Sequence, residues 1–100
     1  MFPPNFHDVI RKCSSTFTDT AQILVAVEES AEFIQAAMKY INRNESIDSM
    51  IAEAADAMFL LFQVRSIVGP DIFDSKLKET VDKVNFMIDY KTNKEKSNER

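Results

Sequence analysis

One hundred residues, 45% hydrophobic and 28% charged, amount to about one domain with enough apolar material for a core, which excludes general disorder. A formal charge of −4 leaves no basic excess, so no nucleic-acid partner is expected. Cys13 is the single cysteine, which excludes an intrachain disulfide and a cysteine metal cluster.

The first residues, MFPPNFHDVIRK, carry no apolar signal-peptide core, and the longest uninterrupted apolar run, residues 57–62, is far short of a membrane span. The expectation is a cytoplasmic chain without a membrane partner. A first helix is predicted over residues 6–13, with Asn5 as N-cap after Pro3 and Pro4. Residues 14–20, SSTFTDT, read as a loop in which Thr18 or Asp19 caps the next helix. The second helix is predicted over 21–41, with apolar positions Ile23, Val27, Phe33, Ile34, Ala37, Met38 and Ile41, widened by Leu24 and Ala31. A polar connection comes after it, and Ser46 or Asp48 can cap a third helix over 48–68.

That third helix is apolar nearly all round, and such a helix belongs inside something larger than one small monomer. Gly69-Pro70 is a stop, and a fourth helix runs from about 71 or 74 to 90 on Ile72, Phe73, Leu77, Val81, Val84, Phe86 and Ile88. The terminal KTNKEKSNER has no apolar residue and reads as a charged, disordered tail over 91–100. No segment has strand alternation. The fold class expected is all-α: one domain over 1–90, an antiparallel bundle of about four helices completed by homo-oligomerisation as a dimer or tetramer.

Two acidic pairs, Glu29/Glu32 and Glu53/Asp56, sit inside the two most apolar stretches. Their i, i+3 spacing puts both members on one helix face. Unpaired carboxylates in apolar surroundings are expensive and repel one another, and a divalent cation is the usual compensation. Without these four acids the chain carries 12 acidic and 12 basic residues, so the candidate ligand set equals the net charge. Oxygen ligands from two helices suit Mg²⁺ or Mn²⁺, whereas Zn²⁺ sites bring His or Cys, and the single His7 lies outside both segments. A di-iron bundle would carry Glu-x-x-His, which neither pair does. The bland alternative, a solvated helix face or pairing with Lys and Arg, fits an isolated pair better than two pairs within apolar helices.

Glu29-Ser30-Ala31-Glu32 followed by Glu53-Ala54-Ala55-Asp56 resembles the ExxE…ExxD signature of MazG-like, all-α nucleoside triphosphate pyrophosphohydrolases. Gln22, seven residues before the first pair, and the double Glu28-Glu29 are similar to that family's approach to its first motif. Lys76, Thr80 and Lys83 are similar to its later Lys-x-x-x-Asn stretch and following basic residue. The likeness covers about residues 17–83. Phe17 stands where many relatives carry Trp, and Thr80 stands where Asn is common.

The resemblance implies cleavage of a nucleoside triphosphate between its α- and β-phosphates, giving the monophosphate and pyrophosphate. Glu29, Glu32, Glu53 and Asp56 would be catalytic and hold Mg²⁺, with Mn²⁺ as a substitute. Gln22, Lys76, Thr80 and Lys83 would bind substrate, the lysines facing the departing pyrophosphate. Glu28 projects about 100° away from Glu29 and takes no assigned role. Phe17 and His7 are candidates for a base-stacking wall, although an aromatic at a loop–helix junction is more often core. Lys39 and Arg43 are candidates for phosphate contact across a subunit boundary, against the simpler reading of a solvated helix end. Two other classes stay open: a non-catalytic, self-associating helical interaction protein, and a di-metal carboxylate bundle.

Overall fold

The computed structural model describes residues 2–98, which form four α-helices and, among the described residues, no strand. The all-α class expected from the sequence is therefore present. Helix α1 spans Phe6–Thr16. Asn5 takes its N-cap position without a side-chain bond, and the first turn closes through Val9 N–H to the Asn5 carbonyl at 3.0 Å.

The helix runs past the predicted end at residue 13. Ser14 Oγ donates to the Ile10 carbonyl at 3.4 Å and Ser15 Oγ to the Lys12 carbonyl at 3.0 Å, so the hydroxyls bond back into the helix instead of opening a loop. Only Phe17 and Thr18 separate α1 from α2, Asp19–Arg43. Thr18 is the N-cap, its Oγ1 accepting from Ala21 N–H at 3.1 Å. Arg43 in the last turn and Asn44 in the left-handed conformation (φ 53°) close the other end.

Helix α3, Ile47–Val68, begins where Ser46 Oγ accepts from Ser49 N–H at 3.4 Å. It ends at Gly69, whose φ of +105° is open to glycine and strained for any L side chain. Pro70 opens α4, Pro70–Asn98, at the first helical position, where its fixed φ fits and its missing N–H is not needed. The last helix is longer than predicted. No Gly or Pro follows residue 70, and Lys91–Glu95 (3.9 Å) forms an i, i+4 pair in the charged stretch, which is helical and exposed through Lys96 and Ser97. Residues 99 and 100 of the expected tail lie outside the described residues.

The chain divides into two compact units, Met1–Val68 and Gly69–Arg100. In the first, α2 and α3 pair in reverse order: Glu29 meets Glu53 and Asp56, while Gln22, two turns earlier, shares a cavity with Leu60 and Gln63. The half-buried and buried positions of α2 follow a stripe (Gln22, Ala26, Glu29, Phe33, Ala36, Tyr40), matched on α3 by Met50, Glu53, Ala57, Leu60, Gln63 and Ile67. Ala26 and Ala57, both buried, keep this seam narrow. Helix α1 is held on α3 by an aromatic cluster, with ring centroids 5.5 Å apart for Phe2–Phe62, 5.1 Å for Phe6–Phe62 and 5.9 Å for Phe6–Phe59. Ser14 Oγ and Ser66 Oγ add a hydrogen bond of 3.2 Å between the same helices.

The second unit is α4, whose Leu77, Val81, Val84 and Ile88 fall at i, i+4, i+7 and i+11 and are exposed. On α3, Ile51, Met58 and Leu61 are also exposed, as the all-round apolar pattern of that helix implied.

Thr18→Ala removes the α2 cap and should cost about 1 kcal/mol of stability, while Thr18→Ser retains most of it. Urea denaturation followed by circular dichroism reads the difference. Equal midpoints for the two variants would mean the cap contributes nothing.

Candidate metal centre

The seam brings three of the four predicted acids together. One carboxylate oxygen each from Glu29, Glu53 and Asp56 lies within 4.8 Å of the others, which is ligand spacing for a single cation. Glu29 and Glu53 are half-buried and Asp56 is exposed. Glu32 stands outside this triad and is exposed, yet it interacts with both half-buried glutamates by charge and by hydrogen bonding. The i, i+3 spacing explains the split, because the two members of each pair are offset by about 60° around the helix. One member of each pair is half-buried at the seam and the other is exposed at its edge, from where Asp56 still reaches the triad.

Burial, first of all, pushes the Glu29 carboxyl above the ordinary value of 4.5, reinforced by the charge of Glu32, a hydrogen bond with Glu32, and the charges of Asp56 and Glu53. Glu53 is raised in the same way, by burial first and then by hydrogen bonding with Glu32 and the charges of Glu32 and Asp56. All of these causes act in one direction for both residues: the site disfavours its own negative charge.

One oxygen of each half-buried glutamate, Glu29 Oε2 and Glu53 Oε2, is buried without a hydrogen-bond partner. Orphaned carboxylate oxygens converging from two helices, with an exposed Asp56 beside them, fit a hard divalent cation such as Mg²⁺ or Mn²⁺. No His or Cys enters the group, which disfavours Zn²⁺.

The other predicted residues fall in three places. Gln22 is buried at the seam two turns before Glu29, and its Nε2 donates to the Phe17 and Thr18 carbonyls at 3.2 and 3.4 Å. Lys76, Thr80 and Lys83 lie on α4 and are exposed. Lys76 pairs with Glu79 at 3.2 Å, and Thr80 Oγ1 donates to the Lys76 carbonyl at 3.2 Å. Lys39 and Arg43 are exposed at the end of α2. Phe17 lines the cavity beside Gln22, whereas His7 packs edge-on against Phe6 at 5.3 Å.

Sequence reasoning missed Gln63. It is buried on α3 with its Oε1 unpartnered, in the same cavity as Gln22. The signal that marked the acids, a polar side chain inside an apolar run, also marks Gln63 between Phe62 and Val64. Compared with protein-family models, curated proteins and solved structures, the chain matches none.

Because the folded-state pKa of both glutamates lies above the unfolded one, the protonated carboxyls favour the native state. That stabilisation is complete below about 4.5 and disappears as pH rises through the raised values. In EDTA, the melting temperature should therefore fall as pH is raised from mildly acid towards neutral. Mg²⁺ or Mn²⁺ should restore it most at neutral pH, where the ligands are ionised. Glu29→Gln with Glu53→Gln should flatten the pH slope and remove the cation effect. Differential scanning fluorimetry tests this, and an unchanged slope in the double variant would refute it.

Proposed function

We propose that this chain is a Mg²⁺-dependent nucleoside triphosphate pyrophosphohydrolase, converting a triphosphate into the monophosphate and pyrophosphate. The observation that carries the reading is the pair of buried, unpartnered carboxylate oxygens, Glu29 Oε2 and Glu53 Oε2, converging with Asp56 from two helices. An acidic pocket of this kind repels a polyphosphate unless a cation stands between them. The order of the acids along the chain, and its likeness to the ExxE…ExxD signature, then favours phosphate chemistry over other uses of a carboxylate site.

In this reading Glu29, Glu53 and Asp56 hold the ion, with Glu32 beside them as a further ligand or water acceptor. Bound there, Mg²⁺ supplies charge neutralisation and a more acidic attacking water. The half-buried glutamates, fixed in the narrow Ala26–Ala57 seam, restrict where the ion and hence the phosphates can stand. Asp56 and Glu32 keep the mouth of the site polar. Lys76 and Lys83, two turns apart on one face of α4 with Thr80 between them, are assigned to the departing pyrophosphate. Lys83 is exposed, and Lys76 would exchange its partner Glu79 for the polyanion.

The same reading includes an antiparallel bundle completed by homo-oligomerisation. Ile23, Val27, Ile34 and Leu61 line one apolar groove on α2 and α3, and all four are exposed. Apolar exposure on this scale supports self-association. It equally suits a non-catalytic interaction module, so activity has to be tested separately from assembly.

Release of pyrophosphate from a panel of nucleoside triphosphates with Mg²⁺ is the direct assay. Glu53→Gln and Asp56→Asn should each lower turnover by about a hundredfold or more, with the helical circular dichroism signal unchanged. Variants that remain active, or a wild type that cleaves no triphosphate, would defeat the hydrolase reading. Sedimentation should find two or four chains per particle at micromolar concentration, and Leu61→Glu should shift the population towards monomer. A folded wild-type monomer under those conditions would end the oligomer proposal.

A further inference from the structure

The groove that α2 and α3 form around Leu61 is built on a regular repeat. Along α2, Ile23, Val27, Ser30, Ile34, Ala37 and Ile41 succeed one another at intervals of four, three, four, three and four residues. Along α3, Ile47, Ile51, Ala54, Met58 and Leu61 keep the same alternation. A position every 3.5 residues is the heptad seam by which helices pack on other helices. Both seams lie on one side of the pair, since Ile23, Val27, Ile34 and Leu61 line a single groove. Neither seam contains a charged residue.

Within the first unit this side is open, because α1 occupies a different side of α3 through Phe59 and Phe62. The large apolar members of the two seams are between 42% and 70% exposed. Together they leave roughly 800 Å² of apolar surface in water, about what each partner of a stable interface buries and more than the largest patch of a typical monomer. The layout of small residues points the same way. Because Glu29 meets Glu53, the residues that follow them, Ser30 and Ala54, stand at one level of the two seams. Val27, Ile34, Ile51 and Met58 flank them, so the face has a waist where opposing helices can approach closely.

We propose that a second copy of this chain covers the face, α2 and α3 of each copy packing on α2 and α3 of the other as a two-fold, four-helix bundle. The face requires two charge-free heptad seams at the spacing of α2 and α3, and the same face of another copy supplies them. Such an interface uses the same surface on both partners and closes at two chains. A single helix covers it less well: the α4 stripe from Leu77 to Ile88 runs about 17 Å, against about 27 Å from Ile23 to Ile41. The inference rests on the self-association proposed above and names its surface, symmetry and chain number. It also separates assembly from the metal centre. Glu32 and Ile34 are about 200° apart around α2, and Asp56 and Met58 are about 200° apart around α3. Acids and interface therefore lie on opposite sides of the helix pair, and each chain of the dimer keeps its acidic group open.

Sedimentation of the whole chain over a range of concentrations, with the helical circular dichroism signal recorded alongside, reads the interface. The wild type should sediment as two chains at micromolar concentration. Ile34→Glu and Met58→Glu, each on an exposed residue, should weaken association by about a hundredfold or more. Val81→Glu sets the same charge on the similarly exposed α4 stripe and should leave the dimer intact. Ser30→Ala removes a hydroxyl from the waist and should tighten the dimer severalfold, a gain that no folding defect imitates. Should the glutamate variants unfold, Ser30→Ala decides, and an unchanged dissociation constant overturns the interface. An assembly that survives both Ile34→Glu and Met58→Glu, or that Val81→Glu breaks, would also overturn it and leave the self-association to another surface. A folded wild-type monomer would end both proposals.

Discussion

Four buried side-chain oxygens without a partner, those of Gln22, Glu29, Glu53 and Gln63, all lie along the seam where α2 meets α3. That seam is the constraint on which the rest depends. Two helices that pair through small residues such as Ala26 and Ala57 would be more stable with apolar side chains in the remaining seam positions. An unmade hydrogen bond at a buried glutamine oxygen costs about 1–3 kcal/mol. A domain of this size has only about 5–15 kcal/mol of stability in total. Retaining two such glutamines together with two half-buried glutamates is therefore a large concession, and it is confined to one interface. The orphaned atoms are oxygens in every case, so any partner they take must bring positive charge or a hydrogen-bond donor.

The unit can carry that concession only because other contacts hold the helices. Phe2, Phe6, Phe59 and Phe62 pin α1 to the C-terminal half of α3, next to the cavity, while Ile10 is buried on the inner face of α1. The price is a thin core: Ile10, Ala26 and Ala57 are the buried apolar residues among those described. Many large apolar side chains on α2, α3 and α4 are left in contact with water, which connects the local chemistry to association. A polar seam cannot also supply the hydrophobic stability of the fold, and burial between subunits, in the oligomer proposed above, would be a further source.

The sequence made the helices and three of the four acids legible because both signals are local. Apolar periodicity located α2 and α4, and i, i+3 spacing placed each acidic pair on one face. What it could not convey was which member of a pair faces the partner helix, since that depends on the register between α2 and α3. Glu29 and Glu53 went inward, and Glu32 and Asp56 outward, for that reason. The run Ser14-Ser15-Thr16 looked like a loop by composition, but its serine hydroxyls bond back to carbonyls a turn earlier and extend α1. Gln63 escaped notice because α3 is apolar on nearly every side, and a helix without a polar face gives no contrast by which to judge a single polar residue.

The polar seam residues also have an order that composition alone does not convey. Acids occupy the part of the seam nearer the α2–α3 connection, and amides with aromatic neighbours occupy the part nearer the start of α2. A cation between the carboxylates would account for the glutamate oxygens and leave those of Gln22 and Gln63 without a partner. The seam is polar at two places, and a metal site answers only the first.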